Sequence, residues 1–257
     1  MPQLTEIARF PVKGFGPDRL ERVELSAGQT LPHDRAWAIE NGPGDFDPTH
    51  PKHVKKKHFL MLARQAELAQ LACRFDPDAA GFTVRFPEDE TITITLGEAA
   101  SNAPLFARLE ILLGEEVRGA LRIAHIPGQA LTDIPDPYVS LINAASLRDL
   151  EARTGQAIDP IRFRGNLLID GLEPWAEFDW VGRDVSIGGV RLRGQSRIRR
   201  CAATGVNPAT ARRDIDLPAA LMTRYGHADC GVYLSVEAGG VVAVGDDVVA
   251  GAVAICP

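Results

Sequence analysis

The chain reads as a mainly β protein with a few helices. Three observations predict this: its apolar stretches are short, several of them alternate with polar residues, and Gly, Pro and Asp punctuate them at close intervals. Many short strands of this kind favour barrels or sandwiches over a doubly wound parallel sheet. With 257 residues, 45% of them apolar, the chain can bury one large core or two small ones.

The first strand is expected over residues 4–12, which run into Phe10-Pro-Val-Lys13, and the next over 36–40, after Asp34-Arg35. Strands are then expected over 68–75, 81–86 and 90–96; within the last, Thr91-Ile-Thr-Ile-Thr-Leu96 alternates as a half-buried strand does. Later strands are expected over 139–142, 163–169, 190–195, 231–236 and 241–244. A helix is predicted over 101–113, where apolar residues recur at helical spacing until Gly114. Asn143 caps a second over 144–153, ended by Gly155; a third over 217–225 has Pro218 in its first turn and Gly226 after its last. Between Gly119 and Asp136, Pro127-Gly-Gln and Ile134-Pro-Asp-Pro137 break any regular pattern. This divides the chain into an N-terminal β-barrel-like domain over residues 1–125 and a second β-barrel domain over 126–257. The irregular stretch 41–57, ending in Lys55-Lys-Lys57, reads as a lid or flap, with charge suited to an acidic redox partner.

A net charge of -6 argues against a general nucleic-acid binder, which needs a basic face. No apolar run approaches the roughly 18 residues that cross a bilayer, and the first residues lack the basic and apolar parts of a secretory signal. The 4 cysteines are scattered, without a disulfide framework or a CxxC pair, so a reducing cytoplasm is the expected compartment.

Cys201 differs from the other cysteines. Arg197, Arg199 and Arg200 precede it, Arg212 and Arg213 follow, and guanidinium groups lower the cost of forming a thiolate. Cys73 lies in an apolar run, Cys256 near the end of the sequence, and Cys230, in Asp229-Cys230-Gly231-Val-Tyr233, is expected to pack in a core. No protease-like Cys–His pair is visible, which leaves Cys201 as a metal ligand or a sulfur-carrying thiol. Lys13, Arg35 and Arg164 each stand where a strand meets a loop, and such cations suit phosphate if the fold gathers them. Gly14-Phe-Gly-Pro-Asp is not a dinucleotide fingerprint. His50, His53 and His58 lie in a Lys-rich segment that repels metal ions, and Trp175 and Trp180 read as aromatics covering a barrel.

The strings Phe163-Arg-Gly-Asn-Leu-Leu-Ile-Asp-Gly171, Trp175-Ala-Glu, Ile187-Gly-Gly-Val-Arg-Leu192 and Arg200-Cys-Ala-Ala-Thr-Gly-Val-Asn-Pro208 resemble the MOSC domain, named for the C-terminal region of molybdenum cofactor sulfurases. The first half is similar to the β-barrel domain that often precedes it, through Phe10-Pro-Val-Lys-Gly14 and Asp34-Arg35-Ala-Trp37. The resemblance implies a molybdenum–molybdopterin cofactor, with Cys201 giving its thiolate to molybdenum and Lys13 and Arg35 holding the phosphate. It also places Arg164, Asn166 and Tyr233 at the cofactor, along with Arg199 and Arg200 beside the cysteine. Two departures stand out. Gly14 replaces the serine often found there, leaving only its N–H, and Ile198 replaces the first cysteine of a Cys-x-x-Cys seen in many members. The activity implied is reduction of N-hydroxylated or N-oxygenated small substrates, with electrons from a separate donor, since no haem or iron–sulfur motif is visible. The rival is a cofactor carrier or sulfur-transfer protein without redox turnover; a metal-free, thiol-dependent transferase is a third reading.

Overall fold

A single curled sheet collects strands from both ends of the chain. It is seen in a computed structural model that describes residues 1–42 and 58–250. Most of the 41–57 stretch, with His50, His53, Lys55, Lys56 and Lys57, lies outside the described residues, as does Cys256. From one edge inward, the sheet begins with β15 (Val248–Ala250), β11 (Asp184–Ile187), β12 (Val190–Arg199) and β13 (Asp229–Ala238). It continues through β9 (Val139–Asn143), β10 (Leu167–Asp170), β1 (Gln3–Arg9) and β2 (Asp18–Leu20). Only β9 and β10 run parallel, joined by α2 (Ala144–Thr154), because a parallel pair needs a crossover. A ribbon of β3 (Arg22–Leu25) with β14 (Gly240–Ala243) packs on the same core. Every second side chain of the sheet, among them Leu4, Leu141, Leu167, Val185, Leu192 and Leu234, enters that core with Trp180. The opposite face of β9 and β13 receives α2 and α3 (Leu217–Tyr225) through Ile142, Leu147, Leu150, Leu221 and Cys230, so β9 is buried throughout.

The remainder of the first half is built on a separate core. There β4 (Trp37–Asn41) pairs with β8 (Leu121–His125), and β5 (Ala72–Asp76), β6 (Gly81–Arg85) and β7 (Thr91–Thr95) form a meander. Leu105, Leu109 and Leu113 of α1 (Ala103–Leu113) pack on it together with Phe15, Phe82 and Val84. Strand residues exceed helical ones, 37% to 24%, so the mainly β reading stands. The three predicted helices form, and Asn143 caps α2 by accepting the Ala145 N–H at 3.0 Å. The Trp175 and Trp180 reading holds as well, since both pack against the sheet core.

Several strand expectations are corrected. The segment 163–169 is not a continuous strand: Pro160–Phe163 is a 3-10 turn capped by Asp159, Arg164 is left-handed, and the strand starts at Leu167. Likewise 68–75 divides into a 3-10 turn, Ala66–Gln70, and β5. Strands β2, β3, β11 and β15, of three or four residues, are too short to show alternation, and β8 lies in the stretch that reads as irregular.

β13 bends at Gly231, with φ +76°, where an added Cβ would lie 2.3 Å from the Leu141 carbonyl oxygen and 2.6 Å from Ile142 Cδ1. Neither a left-handed Ala nor a backbone clash is cheap. Gly231→Ala is expected to cost at least about 2 kcal/mol in urea denaturation; wild-type stability would show that the sheet yields there.

Candidate functional site

The site begins where β1 ends. Asn166 staples β1 to the second half: its Nδ2 donates to the Ala8 carbonyl at 3.2 Å, and its Oδ1 accepts from Ser140 Oγ at 2.7 Å. Beyond β1, residues 10–13 lie against 34–37. The Phe10 carbonyl accepts from Arg35 N at 2.7 Å, and the Trp37 carbonyl from Lys13 N at 2.8 Å. Buried Asp34 fixes this crossing, taking the Phe10 N–H at 2.9 Å on one oxygen and the Arg35 guanidinium on the other. Arg35 then reaches across the chain halves to donate to the Arg164 carbonyl at 2.8 Å.

Lys13, Arg35 and Arg164 are therefore gathered. Arg35 and Arg164 both lie over the Phe10 ring, 4.6 and 4.1 Å from its centroid. Such contacts favour a cation stripped of water. Both arginines have positive φ, +50° and +51°, a conformation that costs about 1 kcal/mol or more and is found where a side chain must be aimed. Lys13, only 8% exposed, donates to Asp133 Oδ1 at 2.8 Å and to the Leu131 carbonyl at 2.9 Å. Arg164 Nη1 donates to the Phe15 carbonyl at 2.5 Å, while its Nη2 is buried without a hydrogen-bond partner among the described residues.

The electrostatics show an excess of positive charge. Burial, and then the neighbouring Arg35, pull Arg164 down from its usual range to about 9. Burial also lowers Lys13; Asp133 opposes that shift, while Arg35 and Arg164 add to it. A bound anion would relieve both costs. Tyr233 borders the cluster: burial raises its hydroxyl, and the charges of Arg200 and Arg35 pull the other way.

The Cys201 loop is built by the residues that follow it. Thr204 returns its N–H and Oγ1 to the Cys201 carbonyl, at 3.1 and 2.9 Å. Asn207 Oδ1 accepts from Ala209 N at 2.9 Å, and its Nδ2 donates to Asp214 at 2.6 Å. Asp214 in turn pairs with buried Arg162 at 2.8 Å. Cys201 is exposed at the start of this braced turn, whereas burial pushes the thiols of Cys73 and Cys230 up to about 12.

The five arginines near Cys201 in sequence are dispersed in space. Arg200 turns inward, donating to the carbonyls of Cys230 and of Phe163, the latter at 2.9 Å. Arg197 stacks on Phe178 at 4.3 Å, and Arg213 donates to Ala202 and Leu62 carbonyls at 3.2 and 2.9 Å. Arg199 and Arg212 are exposed. Asn166, 2% exposed, spends its side chain on Ser140 and Ala8, so it positions strands. Gly14 sits beside Lys13 at φ +88°. Sequence reasoning missed Phe10, Asp34, Asp133, Arg162 and Asp214. The Asp34-Arg35 pairing and the Asn-Pro turn were the available signals; Asp133 had none. Among the described residues no group of three or more His, Cys, Asp or Glu could hold a metal ion.

Among the described residues, then, a mainly β scaffold carries one exposed thiol, Cys201, and a cluster of three cations drawn from both halves of the chain. Residues 1–110 match the MOSC N-terminal beta barrel domain and residues 128–249 the MOSC domain, and the chain belongs to this family. It is similar to the molybdenum cofactor sulfurase of Anopheles gambiae, 26% identical over 91% of this chain and 34% of the relative. It is also similar to mitochondrial amidoxime-reducing component 1 of Mus musculus, 31% identical over 42% of this chain and 35% of the relative. The chain thus spans about a third of the length of these curated relatives. Among solved structures, the YUAD protein from Bacillus subtilis aligns with a TM-score of 0.44 and 13% identity, over 96% of this chain and 94% of that one. No helix among the described residues is long and apolar enough to cross a membrane, which says nothing of β-barrels.

An added Cβ at Gly14 would lie 3.1 Å from the Leu60 carbonyl oxygen and 3.2 Å from Leu68 Cδ1, in addition to the left-handed backbone. Gly14→Ser, which restores the residue common in the family, is expected to lose about 1–2 kcal/mol of stability by chemical denaturation. An unchanged midpoint would show that the turn relaxes.

Proposed function

We propose that the protein binds a molybdenum–molybdopterin cofactor and reduces N-hydroxylated or N-oxygenated small molecules, with electrons from a separate donor protein. One observation carries the reading: a buried guanidinium nitrogen of Arg164 without a partner among the described residues, inside a cluster of three cations drawn from both halves of the chain. Such a group is costly unless an anion completes it. The residues fit the cofactor. Lys13, Arg35 and Arg164 would hold its phosphate, and Cys201, exposed on a braced loop, would supply a soft thiolate ligand to molybdenum. Tyr233 and Arg200 would border it, with Arg199, exposed two residues before Cys201, beside them. When bound, the metal supplies two-electron oxygen-transfer chemistry. The protein orients the cofactor and keeps its phosphate end dry by the packing of Phe10 and Trp37. The amidoxime-reducing relative supports the reductase reading, and the sulfurase relative supports the rival of a carrier or sulfur-transfer protein.

The test uses the full chain purified from a host that makes the cofactor. Wild type is expected to carry about one molybdenum per chain and to oxidise reduced viologen in the presence of an amidoxime. Cys201→Ala should lose at least about 100-fold in that rate while folding normally. Full activity in Cys201→Ala would end the reading; bound molybdenum without turnover on any N-hydroxylated compound would favour the carrier.

A further inference from the structure

We infer that Asp133 is a resident counter-ion of the cation cluster, displaced from Lys13 when a phosphate group enters, and that the segment 127–138 carrying it acts as a latch on the phosphate end. The inference rests on the anion-binding reading of Lys13, Arg35 and Arg164 given above, but not on the identity of the cofactor or on turnover.

Two carboxylates serve this cluster, and they are built differently. Asp34 is 2% exposed, accepts the Phe10 N–H as well as the Arg35 guanidinium, and cannot leave without breaking the crossing of residues 10–13 and 34–37. Asp133 has a side chain that is 47% exposed and stands in a stretch between two strands where Pro127, Gly128, Pro135, Asp136 and Pro137 are all exposed. Its Oδ1 lies 2.8 Å from Lys13 Nζ, and its charge also acts on Arg164 and Tyr233. It therefore places negative charge at the edge of the cluster that a phosphate would use. Lys13 has a second acceptor, the Leu131 carbonyl at 2.9 Å, so its ammonium stays anchored when the carboxylate moves. Leu131 in turn holds its place, buried, by donating its N–H to the Arg35 carbonyl at 2.7 Å. One end of the segment is thus tied to the cluster through the backbone, while the carboxylate two residues on is half-exposed. A phosphate dianion satisfies three cations better than one half-exposed carboxylate does, since it brings more charge and more acceptor oxygens.

The probe is inorganic phosphate, titrated calorimetrically into cofactor-free full-length wild type, Asp133→Asn and Asp133→Ala. Hydrogen exchange of residues 131–136 is followed with and without phosphate. Both variants are expected to bind phosphate about tenfold more tightly than wild type, because the competing charge is gone. In wild type, phosphate should speed exchange at 132–136, and the variants should exchange fast without it. Equal or weaker binding by both variants overturns the latch, as does wild-type exchange that phosphate leaves unchanged or slows. Should neither wild type nor the variants bind phosphate although all fold, the cation cluster is not an anion site and the reading beneath the latch fails instead.

Discussion

The antiparallel pairing of β1 with β10, stapled by Asn166, is the contact on which the site depends. It places the first strand of the chain inside a sheet made otherwise, apart from β2, by the second half. The residues that leave β1 are thereby set against those that enter β10. Lys13 and Arg35 come from the first group and its neighbouring crossing, and Arg164 precedes the second. No stretch of sequence holds all three; the strand pairing brings their loops together, where Arg35 and Arg164 donate to the Arg164 and Phe15 carbonyls. Because the pairing is backed by buried Leu4, Ile7, Leu167 and Ile169, slipping it by one residue would turn a core face outward. The register of an apolar core therefore fixes the geometry of a polar site.

That polar site is expensive to maintain. Among the described residues, two arginines of the site are held in left-handed backbone conformations, one guanidinium nitrogen goes without a partner, and three cations share a space answered by two carboxylates. Strain and unmatched charge of this kind persist where the surrounding fold over-determines them. Here the determinants are the buried Asp34, which ties the crossing together, and the Phe10 ring, which offers its faces to both guanidinium groups. The result is a cradle whose positive excess is released by an incoming anion.

The thiol is handled in the opposite way. Burial raises the thiols of half-buried Cys73 and buried Cys230, and Cys201 alone among the described cysteines is exposed. Its loop is braced by hydrogen bonds and an ion pair among Thr204, Asn207, Asp214 and Arg162. The Thr-x-Val-Asn-Pro run after the cysteine is thus a set of braces. The arginines around it mostly serve carbonyls and aromatic rings, so sequence proximity of charge overstated what reaches the sulfur.

The sequence by itself determined the elements whose signals are local. Asn143 with Gly155, and Pro218 with Gly226, marked two helices because caps and breakers act within a few residues. Alternation marked β7 because one face of it meets a core. It also singled out Cys201 by the arginines around it, and Lys13, Arg35 and Arg164 by their places where strand meets loop. What it left open was everything set by partners far along the chain. Arg164 was read inside a strand although its φ is left-handed, since that conformation is imposed by contacts with Phe15 and Arg35. Asn166 was read as facing a ligand although its amide is consumed by Ser140 and Ala8. Asp133 carried no signal at all, because an exposed carboxylate between prolines acquires meaning only when the fold brings Lys13 to it. Local propensity specifies segments; the pairing of distant strands decides which charges meet, because the energy of an ion pair depends on a distance in space that the sequence does not contain.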